Sequence, residues 1–200
     1  KNLALSSALL STMKAKNSGD DQLDLDAVWL HSLGVAVACK IIAKTAKLPK
    51  MKQEEFFIIG LLHDIGRIFA FQFLAEEYLK ILTLQKESRQ SKSACEKEIL
   101  SMTVPEAGSL LAEKWQLPEN IRAGIRYHRE PQLAEDHSQC CAIINIAISY
   151  VDRESVGWVE DCQEVSAESL KLVGVSEEDL SEPMLILKDE IDKAKDFIQE

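Results

Sequence analysis

Apolar residues recur at helical spacing along nearly the whole chain, and few glycines or prolines interrupt them. Such spacing places the apolar side chains on one face of an α-helix. The 200 residues include 8 glycines and 5 prolines, too few for the frequent turns of a β-sandwich or barrel. No alternating strand pattern extends beyond a few residues. The sequence therefore predicts an all-α fold, a bundle of many helices.

Caps and breakers divide the chain into successive helices. The polar stretch 86–93 predicts a surface loop between two of them. In the first half of the chain, the predicted helices cover residues 2–16, about 24–47 with Asp24 or Asp26 near the start, 53–65 with Gly66 as the stop, 69–73 and 75–85. In the second half, one helix begins at the capping box of Thr103 and Glu106, one lies between Pro118 and Pro131, and one covers 134–151. Ser166 and Ser176 cap two further helices, and Pro183 interrupts the last.

Charge divides the chain into two parts. Residues 151–200 carry 15 acidic and 5 basic side chains, whereas residues 1–150 are neutral overall. We interpret residues 1–155 as a helical core and residues 156–200 as an acidic helical extension of the same domain. Because the chain opens inside a helical pattern at Lys1, we expect a further part of the protein upstream.

The composition also excludes several classes of protein. A neutral-to-acidic chain has no electrostatic surface typical of binding to nucleic acid or anionic lipid. No uninterrupted apolar run approaches the ~18–20 residues needed to cross a bilayer. The five cysteines are odd in number and show no CxxC spacing, which predicts reduced, buried thiols rather than disulfides or a zinc site. We predict a cytoplasmic protein that binds neither nucleic acid nor membranes.

Three of the four histidines fall on predicted core-facing helix positions. His63 and Asp64 stand together inside the apolar run from Ile58 to Ile65, and His31 and His128 lie on the apolar faces of two other helices. Ionisable groups in such places cost several kcal/mol unless they are paired, hydrogen-bonded or metal-bound. We therefore predict that these four side chains cluster. Imidazole and carboxylate ligands suit Fe, Mn, Zn or Ni.

Several short segments, taken in order, resemble the HDOD family, bacterial signalling domains related to the HD and HD-GYP metal-dependent phosphohydrolases. The resemblance implies an all-helical, HD-like bundle preceded by an N-terminal helical part. The segments are Trp29-Leu30-His31-Ser32, Gly60-Leu61-Leu62-His63-Asp64-Ile65-Gly66, Glu106-Ala107-Gly108, Trp115-Gln116-Leu117-Pro118 and Tyr127-His128-Arg129-Glu130-Pro131.

The resemblance also implies a ligand set, which this chain matches in part. His31, His63, Asp64 and His128 match metal-binding positions of the catalytic relatives. Three further positions do not match: Val104 and Arg129 stand where histidines are expected, and Ile148 where a distant aspartate is expected. Asp152 and Asn145 lie about one turn away on either side of Ile148, and neither is an obvious substitute.

These replacements favour a non-catalytic signalling domain that acts through contacts with other signalling proteins, including surfaces in the upstream part. The alternative is a metal-dependent phosphohydrolase acting on nucleotides or cyclic dinucleotides. The number of ligands separates the two hypotheses, because a hydrolase of this type needs its metal to polarise a phosphate and activate a water. We assign no catalytic residue, and expect any divalent metal to bind weakly.

Arg122, Arg126 and Arg129 recur at helical spacing beside the predicted face of His128. One interpretation is contact with a small phosphate-bearing ligand or an acidic partner segment, since arginine offers paired donors. The other is a solvated helix face. The acidic C-terminal stretch is an alternative partner for these arginines within the chain.

Overall fold

The computed structural model describes residues 23–159 and 164–199, so the helix predicted for residues 2–16 lies outside the described residues. Within the described ranges the chain is helical, without a β-strand. The helices are α1 (Leu25–Thr45), α2 (Lys50–Leu62), α3 (Ile65–Phe73), α4 (Ala75–Glu87), α5 (Lys92–Leu100), α6 (Val104–Lys114), α7 (Glu119–Tyr127), a 3₁₀ segment (Pro131–His137), α8 (Ser138–Arg153), α9 (Ala167–Val173), α10 (Glu177–Ser181), a second 3₁₀ segment (Pro183–Ile186) and α11 (Leu187–Gln199).

Helix α1 is the centre of the bundle. Asp24 caps it by accepting a hydrogen bond from the Ala27 amide at 2.9 Å. Buried, mostly apolar residues then occur on almost every side of the helix, as expected for a helix enclosed by others. It packs against α2, α8 and α11, and the main apolar core lies between these elements and α7. His31 is therefore held on a helix that the others enclose.

The predicted stop at Gly66 is wrong. The chain leaves α2 three residues earlier than predicted, turns at His63 and Asp64, and restarts as α3 with Gly66 in its first turn. The reason for glycine here is close packing: a Cβ at position 66 would lie 2.1 Å from the Val104 carbonyl oxygen at the start of α6. Gly108 faces Gly66 from α6, so the two helices cross with their backbones in contact.

The start predicted for the last long core helix is also wrong. Ala134–His137 belongs to the first 3₁₀ segment, and α8 begins at Ser138. Glu135 takes a positive φ of 45° within the segment, a region that few residues other than glycine adopt. Helical spacing of apolar residues cannot reveal such a kink, because the apolar residues on either side of it keep their spacing.

The predicted caps are confirmed. Thr103 and Glu106 form a capping box at α6, Ser166 caps α9, and Ser176 caps α10 with Asp179 in a second capping box. Helix α9 packs on α8, and α11 packs on α1. The C-terminal helices thus contact the core, while the division of the chain at residue 155 remains a prediction.

Two helical stretches, Leu25–Thr45 and Lys50–Phe73, are long and apolar enough to span a membrane by length and composition. In each, 72% of the apolar window is buried inside the fold, and the second is interrupted at His63 and Asp64. Core helices of soluble proteins pass the same test, so these stretches are weak evidence for a membrane span.

Four of the five cysteines are free and buried, as predicted, and Cys162 lies outside the described residues.

Candidate functional site

His31, His63, Asp64 and His128 come together in the interior, as predicted. Each is at most 4% exposed. The His31 and His63 ring centroids are 5.6 Å apart, and the His63 and His128 rings meet edge to face at 5.2 Å. Ligand atoms of His31, His63 and Asp64 all lie within 4.8 Å of one another, and His128 lies beside this group. We call these four residues the His–Asp centre.

Two of the three imidazoles are oriented by the same local contact. His63 and His128 each follow the last residue of a helix, and each Nδ1 contacts the carbonyl oxygen three residues earlier, on Gly60 at 2.6 Å and on Ile125 at 2.8 Å. Since a carbonyl can only accept, both rings must donate through Nδ1–H. The lone pair of Nε2 is therefore available on each ring, the form in which histidine binds a metal.

His31 has a different neighbour, Asp152 near the end of α8. Its Nδ1 lies 3.6 Å from the Asp152 carboxylate, which is too long for a hydrogen bond. Asp152, about one turn after Ile148, thus brings a buried carboxylate beside His31. Ile148 packs against the apolar core. Asn145 donates to the carbonyl of His128 at 3.0 Å.

Asp64 is paired with a cation. The Arg67 Nε lies 2.9 Å from Asp64 Oδ2, and both side chains are buried, at 10% and 2% exposure. Burial by itself would raise the pKa of Asp64, but Arg67, with the nearby His63, lowers it below its ordinary range because a positive neighbour favours the carboxylate. The Asp64 carboxylate is thus ionised, and the positive charge of Arg67 already balances its negative charge.

A second buried ion pair lies next to the centre. The Arg129 Nη1 donates to both oxygens of Glu96 at 3.0 Å, and Glu96 also accepts from the Val104 amide at 2.9 Å. Glu96 is fully buried. Its carboxylate therefore joins α5, the start of α6 and the residue after His128. Lys92, also on α5, lies close enough to Asp64 to lower the pKa of that carboxyl.

Sequence reasoning did not identify Arg67, Lys92 and Glu96 as parts of the site. One signal was available for Arg67, which lies three residues after Asp64, a spacing that brings opposite charges together on a helix. Nothing in the sequence around Glu96 or Lys92 indicates that the loop 88–91 brings α5 back over the centre.

The three histidines are held neutral. Burial is the main cause, and it lowers the pKa of His31 to about 3, with the nearby His63 adding to the effect. Burial likewise lowers the pKa of His63 and that of His128, because an imidazolium is poorly solvated in the interior. Neutral imidazoles can bind a metal or accept hydrogen bonds, but do not serve as cations.

The nitrogen donors of the centre suit a divalent metal, whereas its charge does not. Neutral imidazoles with oriented rings and one carboxylate within 4.8 Å are the expected donors. However, Arg67 already neutralises Asp64, and Lys92 and Arg129 also lie near this carboxylate or His63. A divalent ion would thus meet a carboxylate whose charge Arg67 already matches. The residues present do not fit a tightly bound metal.

The family is shown by comparison with known proteins. The family model of the HDOD domain matches residues 1–131, which is more than half of the chain and includes all four residues of the His–Asp centre. The chain belongs to the HDOD domain family. The sequence-based resemblance is thereby confirmed, as is the helical architecture.

Solved structures show the same fold. An HDOD domain protein from Geobacter sulfurreducens is 25% identical with a TM-score of 0.67 over 93% of this chain. A protein from Shewanella amazonensis, described as a "putative phosphohydrolase", is 24% identical with a TM-score of 0.69 over 96%. The response regulator MmoQ of Methylococcus capsulatus is 22% identical with a TM-score of 0.60 over 82%. The HDOD chain described here spans 63%, 66% and 62% of these three chains.

The arginines of this HDOD domain do not form one continuous basic surface. Arg122 lies 3.8 Å from Glu113, Arg126 lies 3.5 Å from Glu106, and Arg129 is bound to the buried Glu96. These partners come from α5 and α6 rather than from the acidic C-terminal stretch. Each arginine therefore faces an acid of its own.

A groove of about 530 Å³ lies beside two of these arginines, between α7 and the first 3₁₀ segment. Arg122 and Arg126 line one side, while carboxylates of Glu119, Glu135 and Asp136 also line it. Three acids against two arginines give no excess of positive charge. The groove thus offers no electrostatic preference for a phosphate-bearing ligand.

Proposed function

We propose that this HDOD domain is a non-catalytic signal-transduction module, located in the cytoplasm, that acts through contacts with other signalling proteins. The observation that carries the proposal is the Asp64–Arg67 pair at 2.9 Å. The carboxylate that a phosphohydrolase would use to hold its metal is engaged by a permanent cation instead. Any Fe, Mn, Zn or Ni ion at the centre would be held weakly.

The other expected ligand positions support the same proposal. Val104 is buried and presents its backbone amide to Glu96, and Arg129 brings a positive charge where a second metal would need a donor. Ile148 contributes to the apolar core. Hydrolysis of a phosphate ester at such a centre needs a metal-activated water, and none of these three side chains can help to hold the metal.

Likeness to signalling proteins adds support. MmoQ, which shares the fold, is a response regulator. In our proposal the helical surface transmits a state to a partner protein, and the buried charges keep the helices in one arrangement. The partner in this proposal is another signalling protein.

The test is a hydrolase assay on the purified chain supplied with Mn, Fe, Zn or Ni, using bis-p-nitrophenyl phosphate and a cyclic dinucleotide. We expect no turnover above that of the matched His63→Ala variant. Metal-dependent turnover by the wild type that His63→Ala abolishes would overturn the proposal. The proposed contact with another signalling protein is tested by co-purification of the full-length protein. We expect a signalling partner to co-purify in stoichiometric amount.

The second candidate function is a metal-dependent phosphohydrolase acting on nucleotides or cyclic dinucleotides. One observation favours it, the approach of His31, His63 and Asp64 donor atoms to within 4.8 Å of one another. Restoring the missing ligand separates the candidates. Under the non-catalytic proposal, Ile148→Asp tightens metal binding but destabilises the metal-free chain, because it places a carboxylate among apolar residues. Under the hydrolase alternative the wild type is already active.

A further inference from the structure

Arg67, whose pairing with Asp64 supports the signalling proposal, is itself buried beside that carboxylate. It begins one turn after Asp64 on α3, and its side chain turns back into the interior, where it is 10% exposed and contacts the carboxylate at 2.9 Å. An arginine whose side chain stayed in solvent would be equally compatible with the exposed surface of α3. Burial of a guanidinium is costly unless its charge is matched, so the pairing with Asp64 indicates a specific use of the positive charge.

The surroundings of Asp64 are those of a cation site. The rings of His63 and His128 direct their Nδ1–H groups to backbone carbonyls and keep Nε2 unprotonated. His31, His63 and Asp64 place donor atoms within 4.8 Å of one another. Lone pairs and a carboxylate thus converge on one region, and the Arg67 guanidinium contacts this carboxylate at 2.9 Å.

The neighbouring acid does not add negative charge to the centre. Both oxygens of Glu96 accept from Arg129 at 3.0 Å. Of the remaining carboxylates, Asp152 lies 3.6 Å from the His31 Nδ1, and Asp64, which belongs to the donor group, is already paired with Arg67 at 2.9 Å.

We propose that Arg67 takes the place of a metal ion at the His–Asp centre: its guanidinium supplies the positive charge within the chain and thereby keeps the affinity for divalent metals low. Removing this charge, with the donors left in place, should create a metal site formed by His31, His63 and Asp64. This inference concerns the centre alone and does not depend on the identity of the signalling partner.

The test compares zinc binding by the full chain and by Arg67→Gln, using a chelator-competition titration with Zn²⁺ as the probe. We expect the variant to bind one zinc per chain, with an affinity at least about tenfold higher than that of the wild type, because the competing charge is gone. Zinc should also raise the melting temperature of the variant more than that of the wild type.

Two controls identify the site. Arg126→Gln removes the same charge beside Glu106, away from the centre, and should leave zinc affinity unchanged. Arg67→Gln combined with His63→Ala should lose the gained affinity. Equal zinc affinity of wild type and folded Arg67→Gln would overturn the proposal, as would a gain that survives His63→Ala.

Loss of the ion pair could also unfold the metal-free variant. Arg67→Met, which preserves the apolar stem, is then examined by circular dichroism with and without Zn²⁺. Recovery of helical signal on addition of zinc supports the proposal, because binding energy then becomes folding energy. A variant that stays unfolded at saturating zinc contradicts it. A negative result in these zinc experiments would not change the results expected from the hydrolase assay and from co-purification with a partner.

Discussion

The three arginines in and after α7 repeat at regular spacing, yet the two ends of the row meet different surroundings. Arg129 binds both oxygens of a fully buried glutamate at 3.0 Å. Arg122 and Arg126 stand 3.8 and 3.5 Å from Glu113 and Glu106, which are 64% and 30% exposed. One end of the row belongs to the buried centre, and the other belongs to the surface.

The difference shows that the burial of the partner, rather than the spacing of the arginines, decides what each contributes. Exposed ion pairs are worth about 0–1 kcal/mol because water and salt screen them. Removing one member of a buried pair costs roughly 3–5 kcal/mol, since it leaves a charge without a partner. The buried centre and the surface arginines should therefore respond differently to acid, to substitution and to salt.

The largest expected effect is that of acid on the buried centre. His31, His63 and His128 have pKa values below the ordinary 6.5 in the folded chain. As pH falls below about 6.5, the unfolded chain binds protons that the folded chain does not, so stability is lost. Between pH 7 and pH 5 each histidine that stays neutral costs about 2 kcal/mol. We expect a loss of up to about 6 kcal/mol, measured by urea denaturation at each pH.

A control assigns the acid response to the centre. His128→Asn should lower the stability at pH 7 but reduce the slope of stability against pH by about one proton. If stability were flat from pH 7 to pH 5, the histidines would be titrating in the folded chain as they do in the unfolded one.

The next largest effect separates the two kinds of ion pair. Glu96→Ala should lower the free energy of unfolding by about 3 kcal/mol, because Arg129 and the Val104 amide both lose their partner. Glu113→Ala, the matched change at the surface, should cost less than about 0.5 kcal/mol. The measurement is urea denaturation at pH 7. Similar losses for the two variants would contradict the distinction between buried and exposed arginines.

Much of the fold could be predicted because its signals are local. Asp24, the box of Thr103 and Glu106, and Ser166 and Ser176 mark helix starts that the structure confirms. A cap acts within one turn, so the sequence beside it is enough to find it. Gly66 was misinterpreted because its role is to admit the Val104 carbonyl from another helix, a contact between residues distant in sequence.

The centre could be predicted in part for the same reason. Placement of His31, His63 and His128 on apolar faces was enough to predict that they cluster. The arrangement of charge around them was not predictable from spacing, because Glu96 and Lys92 reach the centre through the turn from α4 to α5. Asp152 was not considered an obvious substitute ligand, because it lies about one turn from Ile148. The structure places its carboxylate 3.6 Å from His31.

A smaller effect concerns the packing that holds Arg67 in place. Gly66→Ala puts a Cβ 2.1 Å from the Val104 carbonyl oxygen, so α3 must move away from α6 at a cost of about 2 kcal/mol. Gly174→Ala is the comparison, since nothing lies within 4 Å of its Cβ but its φ is +80°, and it should cost about 1 kcal/mol. Thermal melting of both variants checks this order. A smaller loss at position 66 than at 174 would mean that the α3–α6 crossing relaxes freely.

The smallest expected effect lies at the surface end of the arginine row. Arg126→Ala removes a guanidinium that is 39% exposed, 3.5 Å from Glu106 and 5.5 Å from the Tyr127 ring. Glu106 keeps its bonds within the Thr103 capping box, so it does not become an unpaired charge. The free energy of unfolding should therefore fall by less than about 0.5 kcal/mol. In 0.5 M NaCl even this difference should vanish, because screening at that salt leaves little of an exposed pair. A loss above about 1.5 kcal/mol that persists in salt would show that Arg126 is held as firmly as Arg129, and that the row is a single buried network.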